Sequence, residues 1–330
     1  MGEQISVKDK KILYELDSNA RQPISSIAKK VGLKKETVSY RIKRMRKTGL
    51  IGKYFTVIDT YKLGYTMCTL FLRFNNISLE KEAELIKFLR ARKCVGAIAN
   101  IHGAFDLAIR IWVKSLQELQ RVIDHIIYNY GTFLSDKYLS IANVMHPLKK
   151  RFLYQCFDVP GYTIGKDTTP VRPDKTDMRI LSLLNRSARI TNASIAKILN
   201  LTPNAVKYRI NKLQKAGIIL GYKIGISSKM LGYQRYKVFL LLQNITKKDK
   251  QRLIELLKTD PNTNEVIDSI GRYDLEFEID LRDSTQLNRF LRKLRSEFPQ
   301  MIGHFEVMLV YRKTDMNYLP MLEYKEEATK

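Results

Sequence analysis

Up to about residue 65, apolar side chains recur three and four positions apart, the spacing that gathers them on one side of an α-helix. Ile12, Leu13 and Leu16 form one such stripe, and Ile27 and Val31 a second. Val38, Ile42 and Met45 form a third, on a helix expected from about Lys35 to Lys47. Ala28, Gly32 and Val38 mark the junction of the second and third helices. They supply a small residue where helices approach, a residue free to take a left-handed turn, and an apolar lock. This is the pattern of a helix-turn-helix. Gly49-Leu50-Ile51 then supplies a C-cap glycine and an apolar entry into a wing strand.

Beyond Tyr65 the pattern changes. TMCTLFLRF predicts a strand, and Leu79 to Arg90 an amphipathic helix. VGAIANI and DLAIRIWV predict two strands flanking Gly103-Ala104. Leu116 to Tyr130 predicts a second helix, and Lys137 to Met145 a last strand. Strand-helix-strand-strand-helix-strand is the order of a ferredoxin-like unit. A four-stranded sheet of this kind leaves one face needing cover, so pairing of sheet on sheet is the expected interface.

The whole pattern occurs twice. Shifted by 168 residues, Asp9, Ile12 and Leu13 meet Asp177, Ile180 and Leu181, and Ala20-Arg21 meets Ala188-Arg189. Ser26-Ile27-Ala28-Lys29 meets Ser194-Ile195-Ala196-Lys197, and Tyr40-Arg41-Ile42 meets Tyr208-Arg209-Ile210. About two positions in five are identical between Asp9 and Tyr65, well beyond what shared periodicity produces. The turn recurs as Ala196, Asn200 and Val206, asparagine being the best non-glycine residue for a left-handed turn. The second sheet unit reads YKVFLLLQ, KDKQRLIELLK, EVIDSIG, YDLEFEID, STQLNRFLRKLR and HFEVMLVYR.

The expected fold is α+β, two winged helix-turn-helix domains alternating with two ferredoxin-like βαββαβ domains. Its boundaries are 1–64, 65–156, a linker 157–174, 175–232, 233–320 and a tail 321–330. The linker carries three prolines and two glycines and reads as a loop. Fully extended it would reach roughly 60 Å, so the sequence leaves the units side by side or apart.

Composition sharpens this picture. In 330 residues, 45% apolar and 28% charged content is ordinary for a globular chain, but a net charge of +25 is not. Such a charge is tolerated best beside a polyanion, of which nucleic acid is the commonest. Three cysteines without CxxC spacing argue against a disulfide framework or a zinc site and suit a reducing cytoplasm. No apolar run reaches the length of a membrane span, and a cytoplasmic location is expected.

The outward face of the third helix is where that charge gathers. Lys34, Lys35, Thr37, Ser39, Tyr40, Arg41 and Arg44 are the candidate DNA contacts in the first copy. Thr202, Asn204, Lys207, Tyr208, Arg209 and Lys212 are those in the second. Lysine and arginine at the helix flanks suit phosphates, and Thr, Ser, Asn and Lys near its start have the reach for base edges in the major groove. A solvated cationic face is the bland alternative. Turn spacing, repetition and global charge together favour duplex DNA.

These motifs together resemble the leucine-responsive/asparagine-synthetase regulator (Lrp/AsnC) family. They are Asp-x-x-Ile-Leu, Ala-Arg, Ser-Ile-Ala-Lys, Tyr-Arg-Ile, the glycine-led wing and Leu-Gly-Tyr at Leu63 and Leu231. The resemblance covers nearly the whole chain except linker and tail, and this chain departs from the family by carrying the unit twice. It implies a transcription regulator whose RAM-type sensing domains dimerise through their sheets and bind an amino acid or related effector. On that resemblance Gly103 and Asp106, with Gly271, Tyr273 and Asp274, are the candidate effector contacts. The structural alternative there is a tight turn with a capping aspartate and a core aromatic. Two sensing domains in one chain allow an intramolecular pseudo-dimer, further homo-oligomers, or both. No cofactor is expected.

Two other classes remain in view. An offshoot of the family resembles it in fold and decarboxylates siroheme with histidines of the sensing half. Here His102 adjoins the first hairpin, but Ile270 stands at the repeated position, and His125, His146 and His304 also lack counterparts. An enzyme is therefore not expected. A nonspecific architectural DNA-binding protein is the other alternative; strand aromatics of the RNA-recognition type are absent.

Overall fold

The computed structural model describes residues 5–154, 161–166, 169–314 and 316–319. The tail 321–330, Cys156 and parts of the linker lie outside the described residues. The first copy opens with α1 (Val7–Ser18), α2 (Ile24–Val31) and α3 (Lys35–Lys47), the last over the span expected from its periodicity. Ser6 caps α1, its side chain accepting from the Asp9 amide. Ile12, Leu13, Leu16, Ile27, Val31, Val38, Ile42 and Met45 are all buried. The second copy repeats the trio as α6 (Lys175–Arg186), α7 (Asn192–Leu199) and α8 (Pro203–Lys215).

The strands that follow depart from the expectation of two separate wings. β1 (Ile51–Ile58) and β6 (Ile219–Ile226) pair antiparallel with each other, from Ile51 opposite Ile226 to Ile58 opposite Ile219. Each strand crosses to the other copy's helices, and the cross-bracing is reciprocal. The Ala20 amide donates to the Tyr222 carbonyl at 2.9 Å, and the Ala188 amide to that of Tyr54 at 3.1 Å. A single strand with unpaired backbone groups needs a partner, and its own repeat supplies one. Both helix trios and both strands therefore share one hydrophobic core.

The sheet units follow as expected. The first is β2 (Thr66–Phe74), α4 (Leu79–Ala91), β3 (Val95–His102), β4 (Leu107–Val113), α5 (Leu116–Tyr130) and β5 (Leu134–Pro147). The second is β7 (Gln234–Leu242), α9 (Lys247–Thr259), β8 (Thr263–Ile270), β9 (Leu275–Leu281), α10 (Ser284–Glu297) and β10 (Ile302–Lys313). The expected pairing of sheet on sheet is present, inner-face Phe71 packing 5.2 Å from Phe239 of the other copy, and the edges join as well. The sheets join edge to edge, β5 on β8 and β10 on β3, and close an eight-stranded barrel ordered β10-β3-β4-β2-β5-β8-β9-β7. Closure pairs edges that two isolated sheets would leave open and encloses the inner faces at once.

The linker is no loose tether. Ile164 is fully buried and bridges to Met145, and Gly161 bridges to Leu148, so this stretch doubles back along the end of β5. The duplicated units are thus held side by side.

His146, on β5, is buried, with Nδ1 3.1 Å from Thr163 Oγ1 of that returning segment. Burial foremost, with the charge of Lys258, pushes its imidazole down to about 4. A histidine kept neutral in the fold contributes stability that is complete above the unfolded value near 6.5 and is lost as pH falls toward 4. Denaturant melts at pH 7 and pH 5 should show the wild type losing about 1–2 kcal/mol more than His146→Gln. Equal losses would contradict this account of the group.

Candidate nucleic-acid interface

The turn between α2 and α3 places Gly32 at φ 64°, and the matching turn places Asn200 at φ 54°, both left-handed as their residue types suggest. Pro203 opens α8, and Thr202 caps it, Oγ1 accepting from the Ala205 amide at 3.1 Å. With Val38 and Val206 locked into the core, the opposite side of each helix faces outward. Lys34, Lys35, Lys43 and Lys47 are exposed on α3 and its cap, and Asn204, Lys207, Lys212 and Lys215 on α8. Thr37 and Ser39 are half-buried at the start of α3. Tyr40 and Tyr208 stand out, 67% and 70% exposed at equivalent positions.

Three of the arginines expected at DNA are engaged elsewhere. Arg41 donates to Asp9 Oδ1 at 3.0 Å and to Ser6 Oγ at 3.1 Å, and Arg44 reaches Asp9 Oδ2 at 3.0 Å. Arg209 repeats the tie, 2.6 Å from Asp174 and 2.7 Å from Asp177. Burial works to raise the Asp9 carboxyl, but hydrogen bonds from Arg41 and Ser6 and the charges of both arginines hold it below the ordinary value. These arginines pin each reading helix to the capped start of the first helix in its trio. They are positioning groups. Thr202, exposed, uses its hydroxyl oxygen as the acceptor of the helix cap.

The expected effector contacts also take structural roles. The Asp106 carboxylate accepts from the Phe74 amide at 2.8 Å, and that of Asp274 from Leu242 at 2.7 Å, stapling each hairpin to its neighbouring strand. Gly103 and Gly271 have φ of 145° and 153°. A Cβ on Gly103 would lie 3.0 Å from the Val307 carbonyl, and one on Gly271 2.9 Å from Tyr138 Oη. The hairpin tips thus pass close under the opposite copy's last strand, where only glycine fits. Tyr273 is buried among Phe239 and Tyr138 in the barrel. Gly103 and Gly271 remain exposed at the hairpin tips, Asp106 and Asp274 are half-buried, and Tyr273 is buried.

A family model described as winged helix-turn-helix DNA-binding matches residues 5–51 and 173–219. An uncharacterized HTH-type transcriptional regulator of Pyrococcus furiosus is 32% identical over 115 residues, covering 35% of this chain and 76% of that protein. This chain belongs to the HTH-type transcriptional regulators. HTH-type transcriptional regulator FL11 of Pyrococcus horikoshii is 30% identical over 118 residues, 36% of this chain and 77% of FL11. Each match spans little more than a third of this chain and about three quarters of the relative. The crystal structure of the siroheme decarboxylase NirDL matches along the whole chain. Its TM-score is 0.63 at 14% identity, covering 96% of this chain and 94% of that one. The likeness is one of fold, a paired architecture shared end to end.

Sequence reasoning passed over Arg46, exposed on α3 with its guanidinium stacked 5.3 Å from the Tyr54 ring. Among the described residues no group of three or more His, Cys, Asp or Glu could hold a metal ion, and Cys68 and Cys94 are free thiols. Among the described residues no helix is long and apolar enough to cross a membrane.

Proposed function

We propose that this regulator reads a duplex DNA site with two unequal half-sites, using α3 for one and α8 for the other. The observation that carries the reading is the reciprocal bracing of the two helix trios, which presents two exposed cationic helices from one shared core. In the family's usual geometry two such helices enter successive major grooves about one helical turn apart, and related half-sites mirror the protein's twofold symmetry. Here the twofold is approximate. Positions 34, 35, 37, 39, 43 and 44 all differ from their counterparts in α8, so the half-sites differ too. One chain supplies both helices, and its closed barrel takes the place of a partner subunit.

In this reading the chain is not a catalyst. Its histidines are dispersed. His102 stacks on Tyr311, His125 stacks on Phe88, His146 is buried near Thr163, and His304 lies beside Glu306. Nor does the reading place an amino-acid effector at the hairpins, whose residues are committed to barrel closure.

Selection of bound duplexes from a random pool at physiological salt tests the proposal. The expected product is a bipartite consensus with two different halves at fixed spacing. Retention of DNA without any enriched sequence would replace it with an architectural role.

A further inference from the structure

The charged residues of the barrel are distributed on one side of its approximate twofold. Arg110 and Glu278 occupy equivalent positions in the two copies and meet each other at 3.2 Å, marking the axis. On one side of it lie Arg235, Glu265, Asp280 and Lys313, joined by Lys150, Lys223 and Asp17 at the joint with the helix trios. The residues 168 positions away are Met67, Ala97, Trp112, Met145, Tyr318, Phe55 and Asn185. All of those but Asn185 are buried in a single apolar core. The same scaffold therefore fills one half with hydrocarbon and the other with charge. Replacing buried ion pairs by well-packed apolar groups is often neutral or stabilising, so stability does not account for the charged half.

That half is also hollow. A cavity of about 160 Å³ lies between barrel and helix trios, with Asp17, Asn264, Arg235, Glu265 and Lys313 among its walls. Five cations line it, Arg110, Lys150, Lys223, Arg235 and Lys313, against three carboxylates, Asp17, Glu265 and Glu278. Asp280 beneath, bound to Arg235 and Lys150, makes a fourth, and one positive charge is left over. Two polar atoms of the wall have no partner: Asn264 Nδ2, a donor, and Asp17 Oδ1, an acceptor on a fully buried residue. Buried polar groups are rarely left unpaired without a reason.

We propose that this cavity binds one small hydroxycarboxylate per chain. The ligand's carboxylate meets Lys313 and the Asn264 amide, and its hydroxyl donates to Asp17 Oδ1. A space of this size admits several waters or a ligand of a few heavy atoms. A zwitterion would leave the surplus charge standing, whereas a hydroxycarboxylate supplies one negative charge and one donor together. The state of Lys313 agrees with the surplus. Burial first, and then Arg110 and Arg235, push its ammonium down to about 8 despite Glu278 and Glu265. Asp17 and Lys223 belong to the helix-trio layer, and Arg235, Glu265 and Lys313 to the barrel, so the ligand bridges the two layers.

Calorimetric titration of the full chain without DNA, using glycolate and lactate, tests the site. Acetate serves as the probe lacking a hydroxyl and glycine as the zwitterion. One saturable site per chain is expected for glycolate or lactate, with acetate and glycine at least about tenfold weaker. Asn264→Ala, which removes the unpartnered donor together with the Oδ1 that accepts from Lys150 at 2.9 Å, should weaken glycolate binding about tenfold while the variant still melts cooperatively. Lys313→Met, which installs the residue of the other half, should weaken it further. Absence of saturable binding, unchanged affinity in Asn264→Ala, or glycine binding as tightly as glycolate would overturn the proposal. DNA plays no part in this experiment, so its failure leaves the reading of the helices untouched.

Discussion

Neutralising Lys34, Lys35, Lys43 and Lys47 together to glutamine should lower DNA affinity at 150 mM salt by about two to three orders of magnitude. The slope of log affinity against log salt should flatten by about 3 to 4. Each lysine that neutralises a phosphate releases counterions, worth about 0.9 in the slope for duplex DNA. All four are exposed on the outward face of α3 or its cap. The same treatment of Lys207, Lys212 and Lys215 on α8 should flatten the slope by about 2 to 3. The copies are less unequal than their raw charge suggests, because Arg41 and Arg44 are held by Asp9. Equal changes from the two sets would remove the asymmetry between half-sites, and unchanged slopes would take these faces off the DNA. Tyr40→Ala and Tyr208→Ala provide finer probes, since neither exposed ring is explained by packing.

The second large effect lies in the barrel. Arg110→Met should destabilise the protein by about 3–5 kcal/mol, because it strands a buried carboxylate rather than merely removing a contact. Arg110 binds Glu265 through both of its terminal nitrogens and Glu278 at 3.2 Å, all three groups buried. Burial works to raise the Glu265 carboxyl, but Arg110 above all, helped by Lys313, holds it below its ordinary value. The sign of its pH dependence follows. With Arg110 present, Glu265 contributes stability above the unfolded value near 4.3, lost as pH falls through the lower folded value. In Arg110→Met burial prevails, the folded value rises, and the variant should recover stability as pH falls from 7 toward 5. The double variant Arg110→Met/Glu265→Ala should be more stable than Arg110→Met alone. Melts across that pH range check both statements, and a single variant as stable as wild type at pH 7 would show the pair to be solvated.

Much of the fold is legible in the chain because its cues are local. The apolar period of three to four predicts α3 over Lys35 to Lys47, and the same period predicts α5 over Leu116 to Tyr130, as found. Asn200 announces a left-handed turn by its type alone. What the sequence could not show depends on pairings far apart along it. The crossing of β1 onto β6, the edge-to-edge closure and the returning linker are tertiary choices among partners of similar local pattern.

The reading helices teach a narrower lesson. Arg41 and Arg209 are identical across the copies while most reading positions around them differ, and so are Asp9 and Asp177. Identity of both partners of the tie, arginine and aspartate together, could have singled out Arg41 and Arg209; identity alone does not, since Tyr40 and Tyr208 are identical and exposed. The hairpin aspartates Asp106 and Asp274 are likewise identical, and both staple a strand. The hollow charged half was invisible for the opposite reason, its walls being drawn from positions between 17 and 318.

The bracing of the two helix trios makes the distance between the halves of the DNA site the most direct quantity to measure. On the selected duplex, inserting about five base pairs between the half-sites turns one groove to the far side of the helix. A single chain holding both helices in one core should lose nearly all of its specific affinity for that duplex and regain part of it when about ten are inserted. Affinity indifferent to the insertion would mean that the helices act independently, and would contradict the central claim.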